Sequence, residues 1–113
     1  DLENLITAKT KMVCLCNPLN PTGKVFTEKE LHTLAVVAEK HDLLILSDEI
    51  WSDIVFAPAR FTSLASLGGA ISARTITVTG FSKSYGLAGL RIGLVAAQNE
   101  MLFKKIYDFP ALP

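Results

Sequence analysis

Met12 to Cys16 is a short apolar run with one β-branched member, and Asn17-Pro18 ends it. Unbroken apolarity over a few residues, bounded by turn residues, predicts a buried strand. A long turn follows, Asn17-Pro18-Leu19-Asn20-Pro21-Thr22-Gly23. The period then changes. Leu31, Leu34, Ala35 and Ala38 recur at i, i+3, i+4 and i+7, which predicts an amphipathic helix with one apolar stripe. Thr27 and Glu30 have the spacing of a capping box, and Phe26 and Leu31 that of a hydrophobic staple. The helix should therefore start after Thr27 and end at His41-Asp42.

Leu43 to Leu46 reads as a second strand, stopped by Ser47-Asp48-Glu49. A run apolar on both faces suits a parallel sheet covered by helices on each side. Pro58 interrupts Ile54 to Ala57. Thr62 to Ile71 predicts a short helical turn around Leu64 and Leu67, with Gly68-Gly69 as its stop. Thr75 to Thr79 is a third strand, rich in β-branched residues, Ile92 to Ala97 a fourth, and Glu100 to Tyr107 opens another helix. Strand, helix, strand in this rhythm predicts an α/β fold with a mostly parallel sheet and flanking helices. About a dozen residues without a helical stripe join the third strand to the fourth. That is short for a crossover, so the fourth strand is expected to run antiparallel.

Composition narrows the function classes. Half of the 113 residues are hydrophobic and 19% are charged, an ordinary globular balance. Eleven basic and eleven acidic residues leave a formal charge of zero, so no basic stripe invites nucleic acid or an anionic membrane. The apolar runs are far too short to span a bilayer. No signal-peptide pattern is visible, although the chain opens on Asp1 and closes just after a helix pattern, as a piece cut from a longer protein would. Cys14 and Cys16 alone make neither a zinc site nor a disulfide framework and read as small buried side chains. Cytoplasmic residence is the default for such a chain.

Open α/β sheets bind ligands beyond the carboxyl ends of their strands. Asn17 and Asn20 follow the first strand, Asp48 and Glu49 the second, and Ser82 and Lys83 the third. If those strands are neighbours, an amide, a carboxylate and an amine meet on one rim. A nucleotide hydrolase would also place an acid after a strand, but it needs a G-x-x-x-x-G-K-[ST] loop. Around Gly23-Lys24 the first glycine falls on Pro18 and the hydroxyl position on Val25, so the motif is absent.

Asn17-Pro-Leu-Asn-Pro-Thr-Gly23, Ser47-Asp-Glu-Ile50 and Ser82-Lys-Ser-Tyr-Gly-Leu-Ala-Gly-Leu-Arg-Ile-Gly93 together resemble the class I/II pyridoxal-phosphate aminotransferases of fold type I. Each motif alone is weak. The three stand in that family's order, with a lysine eight positions before an arginine, and the likeness covers roughly Met12 to Gln98. The resemblance implies pyridoxal 5'-phosphate as cofactor, which accepts the electron pair left when a substrate Cα–H bond breaks. It makes Asp48 the carboxylate that stabilises the protonated pyridine nitrogen. It makes Lys83 the Schiff-base amine and the group that shuttles the Cα proton. Arg91 would grip the phosphate with a permanent planar fork. Asn20 would donate its amide to the ring oxygen, with a cis bond to Pro21. Ser82 would assist at the phosphate.

Two positions depart from the family pattern. A Tyr usually stands three residues after the Asp, where this chain has Trp51. Indole can donate one hydrogen bond and accept none, so Trp51 reads either as a cofactor neighbour or as packing. A Ser or Thr usually stands three residues before the lysine, where this chain has Gly80. Gly86, Gly89 and Gly93 suit a tightly turning loop, though glycines alone prove little. His41 reads as a helix-end residue, His32 as one on the polar face, and Glu49 as a structural hydrogen-bond acceptor rather than a second base.

The resemblance also implies missing parts: a preceding phosphate cup, an aromatic stacked on the cofactor, a late carboxylate-gripping arginine and a Tyr from a second subunit. Residues 1–113 would then be part of the cofactor-binding large domain of a homodimer, inactive in isolation and with open sheet edges. Three functions compete. The first is transamination between an amino acid and a 2-oxo acid. The second is carbon–sulfur β-elimination on the same fold, to which Ser47–Phe56 bears some likeness. The third is a structural remnant without cofactor.

Overall fold

A computed structural model describes residues 2–109. After a short 3-10 turn at Leu2–Leu5, the chain forms β1 (Met12–Cys16), α1 (Glu28–Lys40), β2 (Leu44–Asp48), α2 (Gly69–Ala73), β3 (Thr75–Gly80), β4 (Gly93–Ala97) and α3 (Glu100–Tyr107). Two further 3-10 turns, Leu64–Leu67 and Ala88–Leu90, precede α2 and β4. The sheet order is β1-β2-β3-β4. The first three strands are parallel, and β4 returns antiparallel beside β3, as the short joint requires.

α1 forms where its caps and stripe place it. The Thr27 side chain accepts from the Glu30 amide and the Glu30 carboxylate accepts from the Thr27 amide, a complete capping box. His41 closes the far end, and its ring Nε2 lies 2.9 Å from the Glu3 carboxylate. Leu31 and Ala38 of α1 bury against Leu15, Leu43, Ile45 and Leu64, with Leu67 and Ile71 packed at the margin. Both crossovers, α1 and the Leu64–Ala73 stretch, thus cover the same sheet face.

Three expectations need correction. The sheet is not covered on both faces among the described residues: in β2, Ile45 and Ser47 are buried while Leu44, Leu46 and Asp48 are only partly so. A sheet in sequential order with short crossovers places them on one side, and β4 stays open on both faces except at Ala97. Cys14 is exposed and Cys16 only partly buried, so they are not the small buried side chains expected. Gly68 does stop the Leu64–Leu67 turn, as its C-cap, and α2 begins directly after it at Gly69. β2 also runs further than its apolar core, so Ser47 and Asp48 are strand residues rather than the loop after it. The register pairs Cys16 with Asp48 and Asp48 with Val78, which lines up the carboxyl ends of β1, β2 and β3.

Candidate active site

The rim at those ends is stitched by backbone hydrogen bonds that continue past the strands. The Asn17 amide donates to the Asp48 carbonyl and the Glu49 amide to the Val78 carbonyl, each at 2.9 Å. Two polar side chains of the rim are consumed in holding it. Asn17 is 1% exposed; its Oδ1 accepts from the Phe26 amide at 3.0 Å, and its Nδ2 donates to the Thr62 carbonyl. Asn17 therefore ties the long turn to the segment after β2, and it is not a free amide on the rim. Glu49 is 5% exposed, and its Oε1 accepts from the Ser47 hydroxyl, the Ser63 hydroxyl and the Leu64 amide. A carboxylate with three donors on one oxygen is a structural acceptor, the role expected of Glu49 rather than that of a second base.

The other polar groups remain available. The turn after β1 is closed by paired Leu19 and Lys24, with the Gly23 amide bonded to the Leu19 carbonyl at 2.7 Å. Gly23 has φ +72°, a left-handed conformation that favours glycine and brings the chain back on itself. This turn presents Asn20, whose bond to Pro21 is cis; Asn17–Pro18 is cis as well, which the residue pattern did not single out. Asp48 ends β2 with Oδ1 accepting from the Ile50 amide at 3.1 Å, a turn-forming contact that leaves Oδ2 without a hydrogen bond among the described residues.

Trp51 follows three residues later and joins two parts of the rim. With Asn20 it lines a cleft of about 300 Å³, whose other walls include Leu19, Val25, Ile54 and Phe56. Lys83, exposed in the loop after β3, has its Nζ 4.9 Å from the Trp51 ring centroid. Trp51 thus joins Asn20, which shares the cleft with it, to Lys83; Asp48, at the end of β2, does not line the cleft. Ser82 is partly buried beside Lys83. Arg91 stands at the far end of the same loop, exposed, with φ +55° and no carboxylate partner among the described residues. Lys83 and Arg91 do not line the cleft. The cleft's apolar walls came from residues whose spacing carried no chemical signal, and only their meeting in space reveals them.

A family model for aminotransferase class I and II matches residues 1–109. The chain belongs to that family. Over 106 residues this aminotransferase-family chain is 40% identical to the aspartate aminotransferase of Pyrococcus abyssi, a match covering 94% of this chain and 27% of that protein. It is 43% identical over 102 residues to the bifunctional aspartate aminotransferase and glutamate/aspartate-prephenate aminotransferase of Petunia hybrida, covering 89% and 21%. Among solved structures, cystalysin from Treponema denticola, which contains a pyridoxal 5'-phosphate cofactor, matches with a TM-score of 0.88 and 31% identity, over 99% of this chain and 30% of that one. The chain spans about a quarter of the length of the curated relatives it matches. The α/β, mostly parallel architecture of this family member is that of these relatives. No helix among the described residues is long and apolar enough to cross a membrane.

The donor set suits a phosphorylated, aldehyde-bearing pyridine. An unpaired carboxylate oxygen suits a ring cation, an amine suits an aldehyde, and a guanidinium without a carboxylate partner suits a phosphate. No group of three or more metal-ligating side chains occurs among the described residues.

Proposed function

We propose that this chain is the central part of the cofactor-binding large domain of a pyridoxal 5'-phosphate-dependent aminotransferase, which moves an amino group between an amino acid and a 2-oxo acid. One observation carries the reading: Asp48, Trp51 and Lys83 stand at the carboxyl ends of adjacent parallel strands, with Asn20 across the same cleft from Trp51. Pyridoxal 5'-phosphate supplies an electron-accepting ring when bound. Asp48 Oδ2 would stabilise the protonated ring nitrogen by its charge. Asn20 would donate its side-chain amide to the ring oxygen, and Trp51 would flank the ring as a wall rather than as a substitute for a tyrosine hydroxyl. Arg91 would hold the phosphate, with Ser82 assisting. Lys83 would be the amine that holds the cofactor and would carry the proton to and from the substrate Cα. The whole protein would act as a cytoplasmic homodimer, a reading that rests on the family resemblance.

The test is spectroscopic. The full-length protein, mixed with pyridoxal 5'-phosphate, should show a visible absorption band that borohydride abolishes, with the reduced label on Lys83. A colourless protein in excess cofactor, or a label on another lysine, sinks the reading and favours a structural remnant. A second reading, carbon–sulfur β-elimination, is favoured by the Ser47–Phe56 stretch with Trp51 in it. Pyruvate and ammonia from cystathionine without a 2-oxo acid acceptor would indicate elimination; amino transfer that requires the acceptor indicates transamination.

A further inference from the structure

β3 and β4 pair down to Gly80 and Gly93, and the residues between them form one loop that carries both Lys83 and Arg91. The two glycines of the closing pair are not equivalent. A Cβ built on Gly80 would lie 3.1 Å from the Ile92 carbonyl oxygen and 3.5 Å from the Gly93 Cα. A Cβ on Gly93 would meet only the Thr79 carbonyl oxygen, at 3.5 Å, an ordinary van der Waals contact. The strands approach this closely at one side only because residue 80 has no side chain.

The group that would have to move is the Ile92–Gly93 peptide, separated from Arg91 by Ile92. Arg91 sits in the left-handed region at φ +55°, closing the Ala88–Leu90 turn with its amide 3.3 Å from the Ala88 carbonyl. That well is narrow for a residue with a side chain, so Arg91 has little backbone freedom to take up a displacement arriving through Ile92. The Lys83 end of the loop is pinned separately, by the Tyr85 and Leu87 amides on the Phe81 carbonyl and by the Phe81–Tyr85 ring contact.

From this asymmetry we infer that Gly80 is a positioning residue for phosphate recognition: its bare Cα sets where the Arg91 guanidinium stands relative to Lys83. The inference rests on the reading of Arg91 as the phosphate ligand. The family pattern has a Ser or Thr at this position; here Gly80 acts through the loop it closes.

The experiment compares the affinities of the full-length protein for pyridoxal 5'-phosphate and for pyridoxal, which lacks the phosphate, by titrating the visible band. Native protein should prefer the phosphorylated form. Gly80→Ala should cut that preference about three- to tenfold, as expected for an ion-pairing group shifted by a fraction of an ångström, while leaving pyridoxal binding unchanged. Gly93→Ala, the other half of the pair, should leave both affinities as they are. An unchanged preference in folded Gly80→Ala, or an equal loss in Gly93→Ala, overturns the inference. So does loss of folding in Gly80→Ala alone, which would make the residue purely structural. Arg91→Gln separates the two levels: if it does not reduce the preference, the phosphate assignment itself fails. If it does and Gly80→Ala does not, only the positioning role falls.

Discussion

The Lys83 ammonium faces the ring of Trp51 at 4.9 Å, joining the loop after β3 to the segment after β2. An ammonium at that distance from an indole face is attracted by the ring quadrupole. The contact places an amine beside the one tryptophan of the chain, at the position where the family pattern has a tyrosine.

A double-mutant cycle on stability should detect this pair. Trp51→Leu and Lys83→Met, alone and together, are expected to show a coupling of about 0.5–1 kcal/mol, the usual size for a solvent-accessible cation–π contact. Denaturant unfolding supplies the measurement. Strictly additive effects would mean that the two side chains do not interact in solution.

Glu49 yields a larger effect without touching the proposed chemistry. Glu49→Ala leaves the Ser47 and Ser63 hydroxyls and the Leu64 amide facing no acceptor in a buried place. A cost of about 2–4 kcal/mol follows from leaving buried donors unpaired. Glu49→Gln keeps an accepting oxygen and should cost clearly less. Equal urea midpoints for Glu49→Ala and the native protein would show that these donors find other partners.

Asn17→Ala tests the stitching of the rim. Its loss strips the Phe26 amide and the Thr62 carbonyl of their partner and should destabilise by about 1–3 kcal/mol. Asn17→Asp keeps an acceptor for Phe26 but sets a carboxylate against the Thr62 carbonyl, so it should not restore the native midpoint. Recovery in Asn17→Asp would show that only the Phe26 contact matters.

Glu30 gives a pH signature. The Lys24 ammonium, 2.6 Å away, holds its carboxyl down at about 2 against an ordinary 4.5, helped by the backbone amide and hydroxyl of Thr27. A carboxyl depressed in the folded state stabilises fully above its unfolded value, and that contribution is lost as pH falls from 4.5 toward 2. Lys24→Met should move the Glu30 midpoint back toward 4.5 and flatten the stability profile in that window. Carbon-detected NMR titration of the Glu30 carboxyl reads this directly. An unmoved midpoint in Lys24→Met would assign the depression to the cap alone.

The residue pattern made most of the architecture legible, because it records burial. The Leu31-Leu34-Ala35-Ala38 stripe and the Thr27–Glu30 box placed α1, short apolar runs placed β1 and β2, and a β-branched run placed β3. The short joint between β3 and β4 foretold the antiparallel return. What stayed hidden depends on space rather than on local preference. The one-sided covering of the sheet follows from how crossovers pack, which no single segment records. Asn17 and Asn20 look alike as turn asparagines, yet one is buried and double-bonded to backbone while the other lines a cleft. Gly80 and Gly93 are also alike in sequence, and only the interstrand approach tells them apart.

Because β4 doubles back beside β3, the amine of Lys83 and the guanidinium of Arg91 hang on a single covalent span with its two ends clasped together. Lengthening or shortening that span by one residue would respace both groups at once, while Asp48, on a different strand, would keep its place. Variation tolerated elsewhere around this rim should therefore be barred there in length, leaving side-chain replacement as the only route by which the span could adapt.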